Sequence, residues 1–293
     1  MSFFHHLIFS VMNIFLKSLA MLAVAVVVVG CSSNNDPGST QSTERFTFRV
    51  GDYAVYQNTQ LDSLNRPVSS GTGIIPSYRS SRTVVRSGVS LGGQNDAFLL
   101  IDSSFIPTTG LPAGVTGGTR VDTSYYRVAN DEVFVWFDAN RALNSVNGLS
   151  TGGVPRFTGL TPQWYKVAEL RDAAGSEFST NLSFNVVDMT LGTLPFTLVL
   201  TGKNTGRTTL TLNGASSTVH RQSSRVRASF TVPLLGSLSV EVPSEVDFGV
   251  PSAGAQRAIL RTQTNSVSIT IPLLGTQAIP GALSTLVSFR AGT

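Results

Sequence analysis

Phe196-Thr-Leu-Val-Leu-Thr201 decides the fold. Phe196, Leu198 and Leu200 recur at every second position, and side chains two apart share a face where the backbone is extended. Thr209-Leu-Thr-Leu212 repeats the pattern, with both leucines on one side and both threonines on the other. A strand of this kind is half buried, apolar toward a core and polar toward water.

The same reading extends outward over most of the chain after residue 45. Phe46–Val50, Tyr53–Gln57, Arg82–Val89, Ala97–Asp102, Arg120–Ala129, Val133–Asp138 and Trp164–Leu170 are strand-like segments rich in β-branched and aromatic residues. Phe178–Val187, Thr218–Val232, Leu238–Val242, Ile259–Gln263, Val267–Ile271 and Leu283–Phe289 follow in the second half. Gly92-Gly-Gln-Asn-Asp96 and Asn130-Asp131 read as hairpin turns, Pro107–Thr119 and Ala139–Pro162 as irregular loops.

No window carries an apolar i, i+3, i+4, i+7 stripe over three turns. Only Val246–Leu260 and Gly281–Phe289 leave room for a short helix. The predicted fold is all-β and antiparallel, a strongly curved sheet or incomplete barrel, with a β-sandwich as the alternative. Thr231-Val-Pro-Leu-Leu-Gly-Ser237 returns as Thr270-Ile-Pro-Leu-Leu-Gly-Thr276. Each copy is a strand end, a proline that stops ladder pairing and a glycine turn, which predicts two similar sheet corners adjacent in space.

Apolar residues make up 41% of the chain, a globular proportion. Arginine and lysine outnumber acidic residues 8 to 3 over residues 201–293, whereas residues 31–200 hold 12 basic and 14 acidic ones. Arg221, Arg225 and Arg227 share one face of a strand whose other face carries Val226, Ala228 and Phe230. They are candidates for facing an anion, the alternative being the wet side of a half-buried strand. Val133-Phe-Val-Trp-Phe137 is apolar on both faces. Phe134, Trp136, Trp164 and Tyr165 are therefore candidates for lining an apolar ligand cavity, core packing being the other reading.

Catalysis has no positive signal. His220 is the single histidine after residue 30, so no histidine ligand set exists, and no run matches a calcium loop or a phosphate-binding glycine loop. Gly88-Val-Ser-Leu-Gly92 and Gly148-Leu-Ser-Thr-Gly152 match the nucleophile-elbow pattern, but neither stands between a strand and a helix as that motif requires. Asp122, Asp131, Glu132 and Asp138 are the carboxylates from which a glycoside-cleaving pair would come. The expectation is a non-enzymatic protein without cofactor or metal.

Residues 1–30 hold one charged residue, Lys17, ahead of an apolar run from Leu19 to Gly30, shorter than the ~20 residues a spanning helix needs. The run ends in Val28-Val-Gly-Cys31, which resembles the lipobox of bacterial lipoproteins. That resemblance implies a signal peptide over 1–30, acyl chains on Cys31, a flexible linker over 31–44 and one all-β domain over 45–293. Met12 makes a better-proportioned start to the signal than Met1. Ser32 in place of aspartate implies the outer membrane, lipid-anchored and periplasm-facing. Cys31 is the chain's one cysteine, which excludes an intrachain disulfide.

Gly51-Asp-Tyr-Ala-Val-Tyr56, Asp122-Thr-Ser-Tyr-Tyr-Arg-Val128, Glu132-Val-Phe-Val-Trp-Phe137, Trp164-Tyr-Lys-Val-Ala168 and Val246-Asp-Phe-Gly-Val-Pro251 follow in an order that resembles a broad group of uncharacterised envelope lipoproteins. Some of that group share the open half-barrel of the periplasmic lipoprotein carriers LolA and LolB. The resemblance implies a curved sheet and a membrane-anchored binding module for an apolar or amphipathic ligand. The alternatives are a scaffold pairing with another envelope protein or, third, an enzyme acting on envelope glycans. Partners are the membrane, lipid or another envelope protein, and not nucleic acid. Cys31→Ser should leave an unprocessed precursor without acyl chains. Normal cleavage of that variant, read by mass spectrometry of the purified chain, would remove the anchor.

Overall fold

The computed structural model describes residues 46–68, 77–109, 117–138, 156–159, 161–171, 174–175, 177–188, 192–232, 236–251, 256–271 and 275–292. The segments read as signal (1–30) and linker (31–44, with Cys31) and the Gly148–Gly152 motif lie outside them. Every segment predicted as a strand becomes one, except the first.

The amino-terminal half is an antiparallel meander of β1 (Tyr53–Leu61), β2 (Tyr78–Leu91), β3 (Gln94–Ile106), β4 (Gly118–Ala129) and β5 (Glu132–Phe137). The short β6 (Arg156–Thr158) follows, and then β7 (Gln163–Glu169), which pairs with β5. The second half runs β8 (Glu177–Asp188), β9 (Gly192–Leu212), β10 (Ala215–Val232), β11 (Gly236–Gly249), β12 (Ile259–Thr264), a separate hairpin β13 (Val267–Ile271) and β14 (Gly275–Ile279), and finally β15 (Gly281–Arg290).

Three of the turns have one chemistry. Leu91 faces Gln94, Ala129 faces Glu132 and Leu212 faces Ala215, which leaves two residues in each loop. Those residues are Gly92-Gly93, Asn130-Asp131 and Asn213-Gly214, all at positive φ. Positive φ at both central positions is the turn whose twist matches that of the flanking strands.

Thirteen strands form one sheet in the order β6-β8-β9-β10-β11-β12-β15-β1-β2-β3-β4-β5-β7. The last strand pairs with the first, from Tyr53 opposite Arg290 to Leu61 opposite Gly281. The sheet curls until β7 meets β8 and β9, where side chains replace the ladder. Thr180 Oγ1 donates to Lys166 O at 3.3 Å, Glu169 N to Gln222 Oε1 at 3.1 Å, and Asn204 Nδ2 to Arg171 O at 2.5 Å. The fold is thus an all-β, nearly closed antiparallel barrel with one seam.

Three sequence readings need correction. Phe46–Val50 lies outside the strands: Phe46 and Phe48 alternate because both enter the core, not because they join the ladder. Where Val246–Leu260 left room for a helix, its described ends are strands: β11 runs to Gly249, β12 starts at Ile259, and the two bulge at Asp247/Phe248. Gly281–Phe289 is the ladder with β1. The long β9 also fuses two predicted strands across Gly202–Gly206, taking up the glycine at a bulge.

The ends of β8–β11 beyond the barrel form a ribbon whose apolar face is covered in part by β13–β14, with Ile269 and Ile279 packing into the cluster of Leu238 and Val240. Phe184, Phe196 and Phe230 stack across three strands, at 5.6 Å and 4.7 Å between ring centres. The two echoing sequences each close a hairpin, with Thr231 beside Ser237 and Thr270 beside Thr276, both hydroxyl pairs at 3.0 Å. The outer face of β9 carries Thr197, Thr201, Lys203, Thr205, Arg207, Thr209 and Thr211, all but one of them within a run of exposed alternate positions facing water.

At the seam, Lys166 Nζ bonds Glu132 Oε1 at 2.6 Å, pairs with Glu169, and lies 5.3 Å over the Phe178 ring. Burial presses its ammonium toward the neutral form, but the hydrogen bonds to Glu132 and Glu169 outweigh this and hold its pKa above the ordinary lysine value. A raised folded pKa gives stability that is complete below the unfolded value of about 10.4 and lost as pH rises through the folded one. Above about pH 10.4 the melting temperature should therefore fall more steeply for the wild type than for Lys166→Met. Parallel slopes in matched calorimetric scans would dismiss the seam lysine.

Candidate functional site

The barrel interior changes character along its length, and the register explains how. Inward-facing residues of neighbouring strands form cross-strand rows. Val84, Leu100 and Ser124 stand in one row. The next inward row is Ala54, Arg82, Asp102 and Asp122; the one after is Tyr56, Ser80, Ser104 and Arg120. The lumen thus passes from apolar to charged within three rows.

At the apolar end the lumen is filled by Phe46 and Phe48, 3% and 6% exposed. Phe46 meets the edge of Phe248 on β11 at 5.6 Å; Phe48 lies 6.0 Å from both Phe98 on β3 and Tyr126 on β4. These two rings therefore bridge opposite walls. The chain then turns at Gly51, where φ is 89°. Buried Asp52 fastens the turn: its carboxylate accepts from Arg49 N at 2.8 Å, from Gly292 N at 2.8 Å and from Arg257 Nη2 at 3.4 Å.

In the charged row Arg82 Nε donates to Asp102 Oδ1 at 2.6 Å, and Ser124 Oγ donates to Asp102 Oδ2 at 2.6 Å. Burial disfavours the charged guanidinium of Arg82, but Asp102, Tyr126 and Tyr56 more than offset it and raise its pKa above the ordinary arginine value. Asn58 Nδ2 donates to Ser80 Oγ at 2.8 Å. Burial raises the Tyr78 phenol, opposed in part by the charge of Arg120. Across the lumen the wall is hydroxylated, with Ser224 and Ser244 paired at 2.8 Å and Thr262 and Thr264 buried beside them. Polar and apolar parts meet at Tyr126, which has Phe48 against its ring and the Arg82 guanidinium 5.6 Å over it.

The four aromatic candidates are divided between two faces. Trp136 and Trp164 face each other across β5 and β7 at 5.4 Å, and Trp164 Nε1 donates to Leu91 O at 3.0 Å. A Cβ on Gly92 would stand 2.1 Å from the Trp136 ring, so this glycine leaves the space in which the tryptophan lies on the β2–β3 turn. Phe134 shares their face, under Arg127 at 5.5 Å. Tyr165 points the other way, into the lumen, beside Phe137 at 6.2 Å. The alternation of a strand forbids the four from lining one cavity.

Arg221, Arg225 and Arg227 do share the outward face, and each has a partner within the protein. Arg221 and Arg261 clamp buried Asp247 at 2.7 Å each, Arg261 also reaching Glu245 at 2.7 Å. Arg225 lies 3.6 Å from Glu241, and Arg227 Nε donates to Ser239 at 3.2 Å. His220 is buried in β10. Ser90 sits in β2 just before a hairpin, not at a strand-to-helix elbow. Of the four carboxylates, Asp122 stands opposite Asp102 but is exposed, Glu132 holds Lys166, Asp131 forms a turn and Asp138 follows β5. Among the described residues no group of three or more His, Cys, Asp or Glu is placed to hold a metal ion.

No protein-family model matches the chain, and no curated protein does. A crystal structure of a Bacteroides fragilis chain, assigned as an exported protein with a YmcC-like fold, aligns with 84% of this chain and 98% of its own at 5% identity and a TM-score of 0.35.

Arg82→Met alone leaves the partly exposed Asp102 carboxylate with Ser124 as its remaining partner and should cost about 1–2 kcal/mol in denaturant titration. Arg82→Met with Asp102→Leu should cost less than either single change, because removing both charges removes the desolvation penalty with them. Additive losses would show that the pair is not coupled.

Proposed function

We propose that this chain is an envelope lipoprotein, held by acyl chains on Cys31 in the outer membrane and facing the periplasm, that binds an amphipathic ligand in its barrel without transforming it. One observation carries the reading: the lumen is divided lengthwise, with a buried arginine–aspartate layer and an aromatic box meeting at Tyr126. A folded domain with no ligand to hold gains little from Arg82, Asp102, Asn58 and Ser80 pointing inward, since polar groups removed from water rarely stabilise more than apolar ones of the same shape.

The polar layer suits a headgroup that offers both hydrogen-bond donors and acceptors, while the aromatic box suits an apolar chain or ring. Docking of a partner protein is the second reading. It draws on Phe105 and Val121, 58% and 64% exposed, diagonal neighbours on the outer face of β3 and β4.

The test is organic extraction and mass spectrometry of protein purified from its native membrane. An amphiphile beyond the protein's own acyl chains should be present, and should be depleted at least about tenfold when Arg82→Met and Asp102→Leu are combined, a loss of about 1.4 kcal/mol in binding. Nothing extractable would sink the proposal. A co-purifying polypeptide that Phe105→Ser releases would put the docking reading in its place.

A further inference from the structure

We infer that Phe46 and Phe48 occupy the apolar half of the ligand site as a displaceable stand-in, and leave it when the apolar part of a ligand enters. This rests on the reading of the lumen as an amphiphile site and identifies where the apolar moiety goes. Four observations bear on it.

Phe46 and Phe48 are buried in the barrel, while Thr47 is half-buried and Arg49 exposed, and none of the four belongs to the sheet. What holds the two rings is side-chain contact, with Phe248 on one wall and Phe98 and Tyr126 on the other. A segment outside the ladder can withdraw without breaking strand pairing, which places it at the low end of local stability. The segment is also joined to the barrel at a hinge. Gly51 takes φ 89°, a conformation glycine adopts freely, and its N donates to Val84 O at 2.8 Å.

The third observation is the fastening. Asp52, 3% exposed, gathers Arg49 N, Gly292 N and Arg257 Nη2 onto one carboxylate. It ties the turn after the stand-in to Gly292, just past β15, and to Arg257. Only one of those three bonds reaches into the segment itself. The fourth is continuity: Phe48 and Arg82 contact the same Tyr126 ring, so the space left by Phe48 opens beside the charged row. An apolar group placed there would have its headgroup within reach of Arg82 and Asp102.

Occupation by the protein's own side chains lowers the apparent affinity for any ligand by the fraction of molecules in which the site is vacant. It also keeps an aromatic box dry and closed when no ligand is present. A chain fragment or ring of an amphiphile would replace two aromatic rings with a group of the same character, which leaves the apolar contact area similar before and after.

The experiment uses the lipidated protein in amphipol and the amphipathic fluorophore 1-anilinonaphthalene-8-sulfonate as probe. Phe46→Ala with Phe48→Ala should bind the probe at least about tenfold more tightly than the wild type, with unchanged far-ultraviolet dichroism. Asp52→Asn keeps both rings and loosens the turn, and should give a gain of a few fold, which guards against a double variant that fails to fold. In separate chains, Phe48→Cys should add to maleimide at least about a hundredfold faster than Leu100→Cys from the same cluster, and the probe should accelerate thioether formation at position 48 only. Probe binding equal in all variants would overturn the inference while leaving the amphiphile reading intact. A thiol at position 48 that reacts only as fast as one at position 100 would also overturn it. No probe binding by any folded variant would defeat both.

Discussion

The ladder between β1 and β15 is the constraint on which the rest of the molecule depends. It joins strands separated by almost the whole described chain and makes one continuous sheet of two halves that would otherwise be open meanders. Its upper end is tied again where Gly292 N donates to Asp52. Such a contact is costly to form, since the loop between its partners must close before any of it is rewarded. Once formed, it fixes the parity of both halves, because a one-residue slip would turn every lumen side chain outward.

Much of this was legible in the residues. Period-two alternation in Phe196–Thr201 and Thr218–Val232 was enough to place Val226, Ala228 and Phe230 inside and the arginines outside. The curved sheet followed from many short alternating segments without a helical stripe. Phe46–Val50 misled because two phenylalanines spaced by one satisfy the same pattern whether the chain pairs or merely inserts. Gly281–Phe289 is ambiguous for a related reason: Leu283, Leu286 and Phe289 fall at helical spacing, and a bulge at Val55/Tyr56 resets their parity on the strand.

The site was less legible. Trp136 and Trp164 drew attention by size, yet they cap a hairpin from outside, whereas the informative residues are Arg82 and Asp102. Their signal is a charge at inward parity, and parity requires a neighbouring strand to define which way is in. Arg82 is two residues before Val84, the same face, and that coincidence of a charged and an apolar residue on one side of a strand is what could have marked it. The pairing of Arg221 with Asp247 was beyond reach for the same reason, as it depends on a register between β10 and β11.

The seam gives the barrel a property that a fully laddered one lacks. In a barrel closed by backbone hydrogen bonds, diameter follows from strand number and stagger, and the stagger changes only in whole residue steps. Here Thr180, Gln222 and Asn204 close the last gap through side chains with rotatable bonds. The girth of the lumen is therefore continuously adjustable: a turn of a few side-chain dihedrals, or a water admitted between amide and carbonyl, widens it without shifting a single strand register. Contents of different cross-section could be enclosed by the same walls.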